Sequence, residues 1–193
     1  MGQDAVFVHL FNKYHSKGLT PWLNEKQMEA ITRRAYMLMA NLVGEQAANL
    51  ELVDIQGKTK PLYDVKADFT VVSFWDPNCG HCKEEMPRLD SLYKASWKNK
   101  NVHIYAVMTE TDTVAWKKYI ADHKLEYWTN VYQTTQMMME EKKAQQASYK
   151  QLYDITQTPT LYLLDKEKRI IAKKLTPSQL NEMLEAKWRA GKP

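Results

Sequence analysis

Only two cysteines occur in the 193 residues of the chain, and they stand together as Cys79-Gly80-His81-Cys82. Two thiols at this spacing can close a small disulfide ring and reopen it, provided that one of them ionises readily. The surrounding sequence favours that. The apolar run Thr70-Val71-Val72-Ser73-Phe74-Trp75 leads into the pair, and a helix-like stretch begins near Lys83. A strand running into a helix puts Cys79 at the helix N-terminus, where unpaired N–H groups and the positive end of the dipole stabilise a thiolate. Cys82, one turn further on, can then resolve a mixed disulfide formed at Cys79. The chemistry these residue types point to is thiol–disulfide exchange.

Two other uses of such a pair are weaker. A structural staple would join distant segments, because a ring spanning two intervening residues restrains the unfolded chain very little. A structural zinc site needs about four ligands. There is no second cysteine pair, and His9, His15, His81, His103 and His123 show no paired ligand spacing. No zinc site and no cofactor are expected. Soft Cu(I) is a third possibility, held by Cys79, Cys82 and a nearby Met or His. Met137-Met138-Met139 make it conceivable, although three consecutive methionines on a helix point in different directions.

Hydrophobic residues make up 44% of the chain, enough for one domain of ordinary size with a modest extension. The net charge of +4 is spread out, and its Lys/Arg runs alternate with acids or apolar residues. That pattern describes solvated faces and argues against nucleic-acid binding. No run approaches the ~18 apolar residues of a membrane span. Met1-Gly2-Gln3-Asp4 also lacks a basic region followed by an apolar core. Any membrane association is therefore expected through a segment outside this chain.

The elements that must position the cysteines follow from periodicity. Asp4 is expected to cap a helix carrying Val6, Phe7, Leu10, Phe11 and Tyr14, broken at Gly18-Leu19-Thr20-Pro21. Met28, Ile31, Ala35, Leu38 and Leu42 then mark a second helix over 24–43, stopped by Gly44. Residues 1–43 read as a helical extension and 44–193 as the main domain. That domain opens with a hairpin, 49–53 turning at 54–57 into 59–63. The buried strand 69–75 follows, then a helix with Met86, Leu89, Tyr93 and Trp97 on one face and Pro87 in or near its first turns. Next come a strand over 102–108, a helix capped by Thr111 or Asp112, and a short strand over 127–132. A long polar helical segment spans 134–153. A terminal hairpin pairs 160–164 with 169–173, and Thr176-Pro177-Ser178-Gln179 opens the last helix. Crossover units ending in a hairpin imply an α/β fold, a central mixed sheet flanked by helices.

The stretch Trp75-Asp76-Pro77-Asn78-Cys79-Gly80-His81-Cys82-Lys83-Glu84-Glu85-Met86-Pro87 resembles the active-site segment of the TlpA/ResA-like branch of the thioredoxin superfamily. Thr158-Pro159-Thr160-Leu161 resembles that superfamily's cis-proline loop, and the hairpin 49–63 its N-terminal addition in this branch. The resemblance covers roughly residues 44 to 188. It implies a thioredoxin-like fold, Cys79 as nucleophile and Cys82 as resolving thiol. Pro159, if cis, would lie against the disulfide and leave Thr158 free to pair with a substrate strand. Glu85 would exchange the proton of Cys82 if partial burial raised its pKa. Trp75, Pro77, His81 and Thr158 are expected to contact substrate, with Tyr127 or Trp128 as further rim candidates.

Three departures qualify the likeness. Ser73 stands where thioredoxins carry a buried aspartate. His81 gives the dipeptide shared with protein disulfide isomerase, and an imidazolium there favours the Cys79 thiolate and an oxidising potential. The Met-rich stretch 133–148 is longer than the usual connection. The expected partners are protein disulfides or dithiols and an upstream redox partner, within a bacterial cell envelope or periplasm. The competing activities are isomerase or oxidase, copper binding, and a thioredoxin-fold module that binds partners without using its thiols. A thiol peroxidase on this fold would need a Ser or Thr poised before Cys79, and none stands there.

Overall fold

The computed structural model describes residues 3–191; residues 1–2 and 192–193, at the outer ends of the two expected units, lie outside the described residues. At its centre is β3 (Phe69–Trp75), in which every residue is buried. A strand covered on both faces reads as a continuous apolar run rather than an alternation. On one side β3 pairs in parallel with β4 (Val102–Met108), Phe69 opposite Val102 through Trp75 opposite Met108. On the other it pairs antiparallel with β6 (Thr160–Leu164), Phe74 opposite Thr160. Beyond β4 lie the parallel β5 (Thr129–Tyr132) and the antiparallel hairpin of β1 (Glu51–Val53) and β2 (Thr59–Pro61). Beyond β6 lies the antiparallel β7 (Ile170–Lys173). The result is a seven-stranded mixed sheet, β2-β1-β5-β4-β3-β6-β7, in the expected thioredoxin-like fold.

The crossover helices α3 (Gly80–Ala95) and α4 (Thr113–His123) step the same way across the sheet, so a common hand puts both on one face. There Cys82, Met86, Leu89, Trp116 and Ile120 pack on Phe69, Val71 and Trp75, closed over by Leu180 and Leu184 of α7 (Pro177–Arg189). The opposite face buries Val72 and Phe74 against Tyr105, Tyr149, Tyr153 and Tyr162. The Phe74 ring lies 4.9 Å from Tyr153 and 6.1 Å, edge-on, from Tyr162. Such pairs contribute about 0.5–1.5 kcal/mol each beyond the area they bury. Pro87, in the second turn of α3, withdraws one hydrogen bond from the carbonyl of Lys83 while Met86 and Leu89 hold the helix to the sheet.

Several expected boundaries move. Asp4 lies in the first turn of α1 (Gln3–Lys13) rather than capping it, and its carboxylate instead meets Lys173 at 2.8 Å. Helix α2 (Glu25–Met39) starts in an Asn24–Gln27 capping box but stops before Val43. The Asn41 amide ends it by donating to the carbonyls of Met37 and Leu152, at 2.7 and 2.9 Å. The segment expected as one helix over 134–153 divides into α5 (Thr135–Lys143) and α6 (Tyr149–Leu152). Gln145 breaks it at φ 54, and Ser148 with Gln151 forms a new capping box. The hairpin strands shorten to three residues each, because the Asp54 carboxylate accepts from the N–H groups of Gln56 and Lys58 and Gly57 turns at φ 80.

Candidate active site

The site is built where β3 gives way to α3. The Asp76 carboxylate accepts from the Asn78 N–H at 2.9 Å, and the Cys79 N–H donates to the Asp76 carbonyl at 3.2 Å. This Asx turn reverses the chain tightly enough to set Cys79 at the N-cap of α3. A second tie crosses to the next loop. The Asn78 amide donates to Asp112 at 3.3 Å, and Asp112 caps α4 through the Ala115 N–H at 3.0 Å. Those donors, Ala115 first and then Asn78, hold the Asp112 carboxyl below the usual carboxylate range.

Both cysteines are free thiols, but their environments differ sharply. Cys79 is half-buried, and its Sγ donates to the Thr158 carbonyl at 3.4 Å. Burial alone would raise its pKa. Hydrogen bonding with the Thr158 side chain, with the N–H groups of Cys82 and His81 and with the Cys82 thiol outweighs burial, and holds Cys79 below its ordinary value. The protonated thiol forms no cap hydrogen bond, so these donors act on the thiolate left when the proton departs. Cys82 is fully buried, with the Asp76 N–H donating to its Sγ at 3.5 Å. Burial, in the first place, pushes its pKa up to about 12.

The fold brings some of the expected site residues together and removes others. Thr158 and Pro159, joined by a cis peptide bond, meet Cys79 through the Thr158 carbonyl. Glu85 and Pro159 line one groove of about 140 Å³ together with Gln157 and Lys174. The Glu85 carboxylate is paired with Arg88 at 2.9 Å and is 21% exposed. His81 is exposed on the first turn of α3. Trp75 and Pro77, expected to touch substrate, are both buried. Tyr119 of α4 lies over the Trp75 indole with ring centres 5.0 Å apart, so Trp75 supports the site from beneath. Tyr127 stacks on Tyr93 at 5.3 Å and bonds Asp90, well along α3, while Trp128 is buried; neither rims the thiols. Ser73 is buried and donates to the Met86 sulfur at 3.5 Å, so no carboxylate from β3 lies in its place. The Asp76 N–H and Asp112 join the site although neither is among the expected site residues; Asp-x-Asn before the cysteines is a turn signal that points to the first.

Met137 lines a separate cleft with Asn49, Leu50 and Tyr149, and no cysteine lines it. Among the described residues no group of three or more His, Cys, Asp or Glu side chains is placed to hold a metal ion.

Residues 43–173 match the model of the AhpC/TSA family. The chain belongs to that family. The thiol-disulfide oxidoreductase ResA of a Bacillus cereus strain is 27% identical over 143 residues, covering 74% of this chain and 75% of the relative. ResA of Bacillus subtilis (strain 168) is 26% identical over 128 residues, 66% of this chain and 64% of the relative. Among solved structures, a domain of a possible thiol-disulfide isomerase from Cytophaga hutchinsonii ATCC 33406 is 35% identical, with a TM-score of 0.66 over 77% of this chain and 95% of that one. A thioredoxin-like protein from Bacteroides caccae ATCC 43185, 23% identical, shares the fold over 93% of this chain and 68% of its own, with a TM-score of 0.74. That coverage carries the likeness in fold into the N-terminal helices. The protein is a thioredoxin-like thiol–disulfide oxidoreductase. No described helix is long and apolar enough to cross a membrane.

Proposed function

We propose that this protein reduces or exchanges disulfides in partner proteins, with Cys79 as nucleophile and Cys82 as resolving thiol. The observation that carries this reading is the asymmetry of the pair: one thiol half-exposed and held low, the other fully buried and pushed up to about 12. The Cys79 thiolate attacks one sulfur of a substrate disulfide, and a Cys79–substrate disulfide forms as the second substrate sulfur leaves and takes a proton. Cys82 then gives up its proton and attacks the Cys79 sulfur. The Cys79–Cys82 disulfide forms, and the substrate departs as a dithiol carrying two electrons. An upstream dithiol partner returns them.

Thr158, whose carbonyl meets the Cys79 thiol, and the neighbouring Pro159 offer backbone to a substrate strand. Glu85, in the groove beside Pro159, is the proposed acceptor of the Cys82 proton, because Ser73 leaves no carboxylate beneath the thiol. Residues 1–43 act as an extension on a thioredoxin-like domain spanning 44–193, and the resemblance to the TlpA/ResA-like branch favours a bacterial cell-envelope location. His81 and the donors around Cys79 stabilise the reduced form, and this favours isomerase or oxidase activity as the second reading. Equilibration with defined glutathione mixtures decides direction. A potential near about −270 mV makes it an electron-donating reductase, and roughly −180 to −120 mV an isomerase or oxidant. Cys82→Ser should trap Cys79–substrate disulfides; trapping by Cys79→Ser instead would reverse the two roles.

A further inference from the structure

The Asp154 carboxylate is 0% exposed, yet it carries two ion pairs: Arg34 of α2 at 2.6 Å and Lys174, just past β7, at 2.5 Å. Removing a carboxylate from water is strongly unfavourable unless its geometry satisfies it, so both cations are held where they are by that need. The Asp154 backbone sits at φ 48, a conformation that aspartate tolerates better than most residues, and its N–H donates to Gln151 at the end of α6.

Four residues later comes Thr158, whose carbonyl accepts from the Cys79 thiol. The cluster and the Thr158–Pro159 loop are joined on a second side as well. The Lys174 N–H donates to the Leu161 carbonyl at 2.7 Å, and Lys174 lines the groove that holds Pro159 and Glu85. The Tyr153 carbonyl accepts from Tyr162 of β6 at 2.5 Å. The helical extension therefore reaches the substrate side of the site through one charged cluster, and Asp154 is the group common to both connections.

We propose that Asp154 is a positioning residue: paired with Arg34 and Lys174, it fixes the approach of the Thr158–Pro159 loop to Cys79 and makes α2 part of the active-site support. The proposal rests on Cys79 being the nucleophile. When the cluster is released, the loop swings, the Thr158 side chain no longer bonds the Cys79 thiolate and a substrate strand loses its register.

The test uses the full chain and three variants: Asp154→Asn, Arg34→Met, and Asp4→Asn as a control. Asp4→Asn loosens the same extension by removing its 2.8 Å pair with Lys173, and it leaves both partners of Asp154 in place. Three readouts are taken: the pH midpoint of iodoacetamide labelling at Cys79, kcat and KM for reduction of insulin disulfides, and Tm. Losing one charge-assisted hydrogen bond should raise the Cys79 midpoint by about one unit in Asp154→Asn. Arg34→Met should show about half that shift, and both variants should raise KM more than they lower kcat. Asp4→Asn should lower Tm while leaving midpoint and KM within twofold. Unmoved midpoints and KM in the first two variants overturn the proposal, as do shifts that follow Tm equally in all three. Arg34 is 41% exposed, so its variant decides the matter even if Asp154→Asn fails to fold. Wild-type labelling at Cys82 instead would sink the nucleophile assignment, and this inference with it; labelling at Cys79 with unmoved variants sinks this inference alone.

Discussion

The two thiols should differ in reactivity by more than their burial suggests at first sight. Cys82, with a pKa pushed up to about 12, is ionised to roughly one part in 10⁵ at pH 7. Cys79 lies below its ordinary value of 9.0, so more than about one per cent of it is thiolate at the same pH. The ratio of reactive species exceeds about a thousandfold before access is considered, and access favours Cys79 again. The assay is limited iodoacetamide labelling of the reduced chain between pH 6 and 9, with peptide masses assigning each site. One label is expected, at Cys79. The telling perturbation is Cys79→Ser. Burial is the first cause of the Cys82 shift and the neighbouring thiol a lesser one, so Cys82 should stay inert when its partner is gone. Unfolding in denaturant should make both label alike. If the native sites label within tenfold of each other, or Cys82 awakens in Cys79→Ser to the rate Cys79 had, the assignment by environment is wrong.

Other outcomes follow from named contacts. Glu85→Gln should flatten the pH dependence of the Cys82 resolving step, measured by stopped-flow decay of a trapped mixed disulfide; an unchanged profile removes Glu85 from proton transfer. Trp75→Ala, by emptying a fully buried site, should cost about 3–5 kcal/mol in urea unfolding. Trp75→Phe should leave KM for insulin within twofold, since the indole touches no substrate; a large KM change would restore it to the binding surface. For Asp154, burial alone would raise the pKa, but hydrogen bonds from Arg34 and Lys174 outweigh it and hold the carboxyl below its ordinary value. The folded pKa is thus under the unfolded value of about 3.9, so the stabilisation is whole above roughly pH 4 and fades as pH falls through the folded pKa. Asp154→Asn should therefore flatten the acid limb of the urea midpoint against pH, and a parallel curve would contradict the pairing.

What could be read from the sequence was whatever is local. The strand, the turn and the two thiols lie within about a dozen consecutive residues, and so does the helix N-terminus that favours a Cys79 thiolate, whereas Thr158, which also lowers Cys79, comes from far along the chain. Trp75 lies beneath the site and not on its surface because β3 is covered on both faces: with no alternation along 69–75, nothing in the sequence marks which side chain faces solvent. The break between α5 and α6 was hidden for a different reason. Gln145 takes a positive φ without the glycine that usually announces it, as do Asn101, Lys124, Lys168 and Lys174 at other element ends. The Arg34–Asp154 pair joins residues 120 positions apart, a separation at which no spacing rule acts. Read singly, Asp154 is a polar residue after a short amphipathic stretch, and solvent exposure is the ordinary expectation for it. Only the tertiary fold shows that its carboxylate is sealed between a helix of the extension and the lysine beside the groove. The identity of the nucleophile is thus a property of a local segment, whereas its full activation and the surface that presents a substrate to it depend on contacts from both ends of the chain. Variation at Arg34 should therefore reach both substrate affinity and the reactivity of Cys79, whereas variation at Asp4, which pairs with Lys173 and not with Asp154, should reach neither.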